Sequence, residues 1–287
     1  MKYFEYAEPE TLQEAVGLLL GSAGKGSLMA GGTDLMVQMK EHVRQPACVI
    51  DIKKIAGMDD FHFDPRGGLT LGALVTVREV ETAPPVLRHY ASLARACTDF
   101  ASIQVRNRAT VVGNVCRASP SADTLPALIA DGAWLVIEGP AGRRECTVEN
   151  FCTGPGRTVL AEGEIVTHIR IPAPAPSTGK VYIKHGRRAQ MELATVGVAV
   201  SLTLQDATCT DISIVLAAVA PTPLRARQAE ALLRGRPITS EAIAAAAQAA
   251  SEEARPIGDV RGSADYRRDM VRVLSRRAIE QAIEEAA

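Results

Sequence analysis

Behind Thr11, the apolar residues Leu12, Ala15, Val16, Leu19 and Leu20 return at the spacing of one helix face. Thr11 and Glu14 form a T-x-x-E capping box, and the glycine-rich "GSAGKG" stops the helix. "SLMA" then reads as a short buried strand, "TDLMVQMKEH" as a helix, and "ACVIDI" as a second strand of continuous apolar type. Strand, helix and strand with short connections predict a small α/β unit over residues 1–55.

The pattern changes beyond it. "GLTLGALVTV" alternates like a strand, and "PPVLRHYASLARACTDF" reads as helical after its prolines. "AWLVIEGPAGRRECTV" predicts a hairpin about Gly139-Pro140-Ala141-Gly142, and "EIVTHIRIP" a further strand. These elements make a second α+β unit over residues 56–176, closed by the proline-rich linker "PAPAPSTG". A third unit, residues 177–287, opens with the valine- and isoleucine-rich runs "VYIKHG", "TVGVAVSLTL" and "DISIVLAAVA", which suggest an antiparallel sheet. Helices are predicted at about 225–234, 239–254 and 263–285. The last carries Met270, Val273, Leu274, Ala278, Ile279, Ala282 and Ile283 along one side. The fold class is therefore α+β.

Composition narrows the function classes. The chain has 287 residues and a formal net charge of −1, with 4% aromatic residues, which gives no support for a nucleic-acid or membrane-surface partner. No run approaches the ~20 apolar residues of a membrane span, and "MKYFEYAEPE" has no apolar signal-peptide core, so a cytoplasmic protein is expected. Cys48, Cys97, Cys116, Cys146, Cys152 and Cys209 form no C-x-x-C pair, so no metal site is expected. His42, His62, His89, His168 and His185 show no pairing with carboxylates that would mark a general base, and no catalytic residue is assigned.

Two stretches carry candidate chemistry. In "AGGTDL", glycines precede a helix, which suits either an ordinary strand-to-helix turn or a backbone cradle for a pyrophosphate. The spacing is neither G-x-G-x-x-G nor a P-loop. "RNRATVVGNVCRASPSADTLPAL" gathers Thr110, Gly113, Asn114, Ser119, Ser121 and Asp123. Small hydroxyl and amide groups beside a glycine can bond ribityl and phosphate oxygens, and an aspartate can accept from a ribose hydroxyl. The same stretch also fits a loop of Ser-Pro turns with Asp123 as the N-cap of a helix over 124–131.

Six segments in order, "FEYAEPETLQEAVGLL", "AGGTDLMVQMK", "TVVGNVCRASPSAD", "GPGRTVLAEGEI", "YIKHGRRAQMELATVGVAV" and "RGSADYRRDMVRVLSRRA", resemble the FAD-binding medium subunit of molybdenum hydroxylases, of the carbon monoxide dehydrogenase and xanthine dehydrogenase type. The resemblance spans essentially the whole chain. It implies two FAD-binding subdomains of the vanillyl-alcohol-oxidase (PCMH) type, followed by a C-terminal domain of antiparallel sheet and helix bundle. Ala30, Gly31, Gly32, Thr33, Asp34 and Leu35 match the pyrophosphate-holding motif; Thr110, Gly113, Asn114, Ser119 and Asp123 match the second FAD motif. Lys184 matches the family lysine near the flavin, and Ile165 or Val166 lies in the strand that flanks the cofactor.

Val112 stands where the family often has glycine, Cys116-Arg117 where an apolar or small pair is frequent, and Cys152 where an aromatic is frequent. The cysteine-bearing insert of benzoyl-CoA-reductase-like members is not seen.

The implied function is electron transfer within a heterotrimer or a dimer of heterotrimers. FAD would accept electrons from the [2Fe-2S] clusters of a small subunit, serving a molybdopterin-containing large subunit, and pass them to NAD, a quinone or another acceptor. Arg187-Arg188 could dock that small subunit, contact cofactor phosphate or form a solvated basic face. The alternative is a free-standing FAD-dependent oxidoreductase of the same fold with its own small-molecule substrate.

Overall fold

The computed structural model describes residues 1–188 and 191–287. In the first unit, β1 (Glu5–Ala7), α1 (Leu12–Gly21), β2 (Gly26–Met29), α2 (Leu35–Lys40) and β3 (Cys48–Asp51) build a parallel sheet of order β1-β3-β2. The Thr11–Glu14 capping box is formed in both directions. β1 was not expected. Its three residues are too few, and too exposed, to print a pattern on the sequence.

β4 (Phe61–Asp64) and β5 (Gly68–Gly72) open the second sheet. The strand read in "GLTLGALVTV" ends at Gly72, because Thr76 and Glu79 form a capping box that starts α3 (Val77–Thr82). The helix predicted after the prolines is two, α4 (Pro84–His89) and α5 (Ala91–Thr98), broken at Tyr90, whose backbone leaves the helical region at φ −136°, ψ 53°. α6 (Ile103–Arg106), α7 (Val111–Arg117) and α8 (Thr124–Ala130) follow.

The predicted hairpin is β6 (Trp134–Gly139) and β7 (Gly142–Thr147), paired from Trp134↔Thr147 to Gly139↔Gly142. After α9 (Val148–Phe151) and the short pair β8 (Cys152–Gly154) and β9 (Arg157–Thr158), β10 (Ile165–Ile171) enters the middle of an antiparallel sheet of order β4-β5-β10-β6-β7.

The third sheet runs β11 (Thr178–His185), β12 (Val196–Gln205), β13 (Thr208–Ala217) and β14 (Leu224–Arg225). α10 (Arg227–Leu233) precedes β15 (Arg236–Pro237), which also pairs with β13; α11 (Ser240–Glu253) and α12 (Ala264–Ala286) complete the chain. Val181, Val198, Val200, Ile212 and Ile214 pack with these helices in one core, whereas Tyr182, Ala199 and Val215 join the larger core beneath α5 and α8. Burial on both faces explains the continuous apolar runs. On α12 the expected face forms, with Leu274, Ala278, Ile279 and Ala282 buried and Met270 and Ile283 packed at its edge, except that Val271 rather than Val273 enters the core.

Candidate functional site

The turn after β2 places residues 30–34 against the start of the second motif. A Cβ added to Gly31 would lie 1.9 Å from the Arg108 carbonyl oxygen and 3.0 Å from the Ala109 Cα, so only glycine lets the two backbones meet. Gly32 turns the chain at φ +72°, a conformation side chains rarely adopt. Among the described residues, the backbone N–H groups of residues 31–35 donate to no protein acceptor, and the first helical bond here runs from Met36 N–H to Gly32 O. Consecutive unpaired amides without a lysine form an anion cradle, which is the chemistry a pyrophosphate needs. Thr33 is half-buried, Asp34 is exposed, and Leu35 is buried with Met39 and Val49, anchoring the turn.

The second motif is a short helix rather than a loop. The sequence around it is small and polar, so no apolar period announced α7. Thr110 caps it, its hydroxyl accepting from Gly113 N–H at 3.0 Å. Asn114 Oδ1 accepts from Thr124 Oγ1 at 2.7 Å, which ties α7 to α8. Arg117 at the end of α7 reaches Asp34 at 2.6 Å and joins the two motifs. Ser119 Oγ accepts a weak 3.4 Å bond from Ser121 N–H. Val112 is buried in the main core, so the valine in the glycine's place points away from the loop surface. Burial pushes the Cys116 thiol up to about 12 and the Cys152 thiol to about 11, so neither is a reactive thiolate.

Asp123 does not cap α8: its backbone is helical and its side chain makes no cap bond. Its carboxylate instead accepts from Tyr182 Oη and from Lys184 Nζ, each at 2.9 Å. Lys184 also donates to the Asp99 carbonyl at 2.9 Å. Burial pushes the Asp123 carboxyl up to about 6, against the downward pull of Lys184 and of the two hydrogen bonds. Lys184 is thus a half-buried, paired cation, with 9% of its side chain exposed.

A second buried pair lies at the other end of α8. Lys180 Nζ meets Asp131 Oδ1 at 2.5 Å and sits 5.0 Å from the centre of the Tyr90 ring. The matching is metrical: Asp123 and Asp131 are ~12 Å apart along a helix, and Lys180 and Lys184 ~13 Å apart along a strand.

The structure therefore joins the two motifs at Gly31 against Arg108 and Ala109 and at Asp34 against Arg117, on either side of Thr110, Gly113 and Asn114 in the chain, and separately joins Asp123 with Lys184. Ile165 and Val166 are core residues at the start of β10, the strand on which α7 packs. Sequence reasoning missed Tyr182. The period of two along β11, which aligns it with Lys184, was the available signal.

His168 Nε2 approaches Asp60 Oδ2 at 4.0 Å, an imidazole–carboxylate contact that the expectation of unpaired histidines did not include. Burial lowers its pKa. Arg187 bonds the Val260 carbonyl and Arg188 pairs with Glu192, both exposed. A cleft of about 420 Å³ opens beside Lys184, between Arg95, Asp99 and Arg187. Among the described residues, no group of three or more His, Cys, Asp or Glu could hold a metal ion, and no helix is long and apolar enough to cross a membrane.

Residues 2–174 match the model of the FAD binding domain in molybdopterin dehydrogenase, and residues 181–282 that of the CO dehydrogenase flavoprotein C-terminal domain. The carbon monoxide dehydrogenase medium chain of Hydrogenophaga pseudoflava is 37% identical over 97% of this chain and 96% of its own length. The xanthine dehydrogenase FAD-binding subunit of Escherichia coli O157:H7 is 28% identical over 98% and 96%. Among solved structures, carbon monoxide dehydrogenase from H. pseudoflava superposes with a TM-score of 0.96 at 37% identity, covering 100% of this chain and 99% of that one. Quinoline 2-oxidoreductase from Pseudomonas putida 86 does so with 0.92 at 29% identity, over 100% and 99%. A cradle of free amides closed by a glycine-only contact, on a fold matched from end to end, makes this chain a member of the FAD-binding medium-subunit family of molybdopterin dehydrogenases, an oxidoreductase family.

Proposed function

We propose that this chain carries FAD as the electron-transfer subunit of a molybdenum hydroxylase. Electrons would arrive from the [2Fe-2S] clusters of a small subunit and leave for NAD, a quinone or another acceptor. A molybdopterin-containing large subunit would oxidise the substrate, in a cytoplasmic heterotrimer or a dimer of heterotrimers. The observation that carries the reading is the run of unpaired amides at residues 31–35, abutting the capped start of α7.

The amides of residues 31–35 would hold the pyrophosphate, with Ala30 and Gly31 fixing the loop's approach. Thr110, Gly113, Asn114 and Ser119 would line the second side, where the Asn114 oxygen serves Thr124 and its amide N–H groups have no protein acceptor among the described residues. Ile165 supports this wall from β10. Asp123 and Lys184 would stand at the redox end, where a fixed ammonium would favour negative charge on the isoalloxazine. Bound flavin supplies one- and two-electron chemistry, while the protein supplies position and electrostatics. In this layout residues 1–55 and 56–176 enclose the cofactor and residues 177–287 bring Lys184 to it.

An absorption spectrum and cofactor analysis of the tagged protein, drawn gently from its native cells, tests the reading. FAD with iron, molybdenum and two further chains is the expected result. FAD alone, with activity on an added small substrate, would favour the free-standing flavoenzyme. Folded protein that takes up no supplied FAD would overturn both.

A further inference from the structure

We propose that Tyr182 is a positioning residue for the flavin: its phenol fixes the Asp123 carboxylate, and through it the Lys184 ammonium, at the redox end of the cofactor site. The inference rests on the FAD reading above and goes beyond it, to a residue outside both glycine motifs.

Lys180, Tyr182 and Lys184 alternate onto the face of β11 that covers α5 and α8, while Val181 turns to the opposite core. Tyr182 is 3% exposed, and its hydroxyl ends on Asp123 Oδ1 at 2.9 Å. Its ring reaches that far because Gly197, which pairs with Lys184 on the neighbouring strand, has no side chain. A Cβ there would lie 3.1 Å from the Tyr182 hydroxyl and 3.5 Å from the ring.

The division of labour follows from the carboxylate's two oxygens. Tyr182 holds Oδ1, and Lys184 spans Oδ2 and the Asp99 carbonyl, so the phenol fixes the rotation of the carboxylate that Lys184 meets. Without the phenol, Asp123 could rotate, and Lys184 would lose one of the two fixed partners that hold its charge. The groups that bear on Asp123 are Lys184 and Tyr182 from β11, Asp99 from the end of α5, and the Cys97 thiol within α5. Of these, Lys184 and the Tyr182 hydrogen bond favour the ionised carboxylate, and Asp99 opposes it.

The test compares FAD-loaded wild-type protein with Tyr182→Phe. FAD dissociation constants are read from flavin fluorescence, and the midpoint potential is followed from pH 5 to 8. Phenylalanine keeps the ring, so FAD affinity should change less than about threefold. Loss of the donor should move the break in the potential–pH line upward by about one pH unit, a tenfold change in proton binding. Gly197→Ala, which crowds the phenol without removing it, should move the break in the same direction and serves if the first variant is unstable.

An unmoved break in FAD-loaded variants would overturn the positioning role while leaving the FAD reading intact. Wild-type protein that binds no FAD would overturn both.

Discussion

The two ends of α8 carry the same pair of residues in different company. At the far end, the side chains of Lys180 and Asp131 are 6% and 0% exposed, and Asp131 Oδ2 has no partner among the described residues. At the near end, Lys184 and Asp123 are 9% and 8% exposed, and Tyr182 and the Asp99 carbonyl satisfy the remaining groups. Each has a tyrosine, but Tyr90 offers its ring to a lysine whereas Tyr182 offers its hydroxyl to an aspartate. An isolated buried ion pair contributes little net stability, yet it penalises the loss of either member. The far pair therefore acts as a clamp between helix and sheet. The near pair is a clamp whose charges also face the proposed cofactor site.

The comparison breaks most sharply at Lys180. Lys180→Ala leaves Asp131 buried and unpaired, and should cost about 3–5 kcal/mol in urea unfolding. FAD affinity of the folded fraction should stay unchanged; a large loss of affinity would mean that the two ends are not separable.

Next in size is a pH effect confined to Asp123. Its carboxyl sits at about 6 in the folded chain against an ordinary 3.8, so the folded state binds the proton more tightly. Stability from this group is present below about pH 4 and is lost as the pH rises to about 6, a change of about 3 kcal/mol. The denaturant midpoint of wild-type protein should fall relative to that of Asp123→Asn as the pH rises from 4 to 7. A pH-independent difference would place the raised carboxyl elsewhere.

Smaller still is Tyr90→Phe, which removes the hydroxyl's 3.0 Å bond to the Pro172 carbonyl. It should cost about 1 kcal/mol and leave the break in the potential–pH line where it is, in contrast to Tyr182→Phe. The smallest effect belongs to Arg117→Ala. The Arg117–Asp34 pair is 41% and 52% exposed, so its loss should cost under ~1 kcal/mol in thermal melts.

Much of this was legible in the residues. The Thr11–Glu14 capping box, the Gly139–Gly142 hairpin and the valine-rich strands follow from local chemistry, and each formed near its expected bounds. The Ala30–Leu35 turn was legible as a glycine turn, but its contact with Arg108 was not, since nothing local says which backbone will arrive there. α7 escaped notice because a helix of seven residues with a glycine and an asparagine shows no period. Asp123 also read as a cap, because Asp before a helix usually is one; a tyrosine and a lysine 59 and 61 positions away claimed it instead. Long-range polar partners of this kind leave only one trace in a sequence, the alternation that aligns Lys180, Tyr182 and Lys184.

The central claim is that FAD lies between the free amides and the Tyr182-held pair. A crystal structure of the FAD-loaded protein tests it most directly. The account predicts the pyrophosphate within hydrogen-bond reach of the amides of residues 31–35, and the isoalloxazine at the Lys184 end. FAD bound elsewhere, with those amides facing only water, would contradict it.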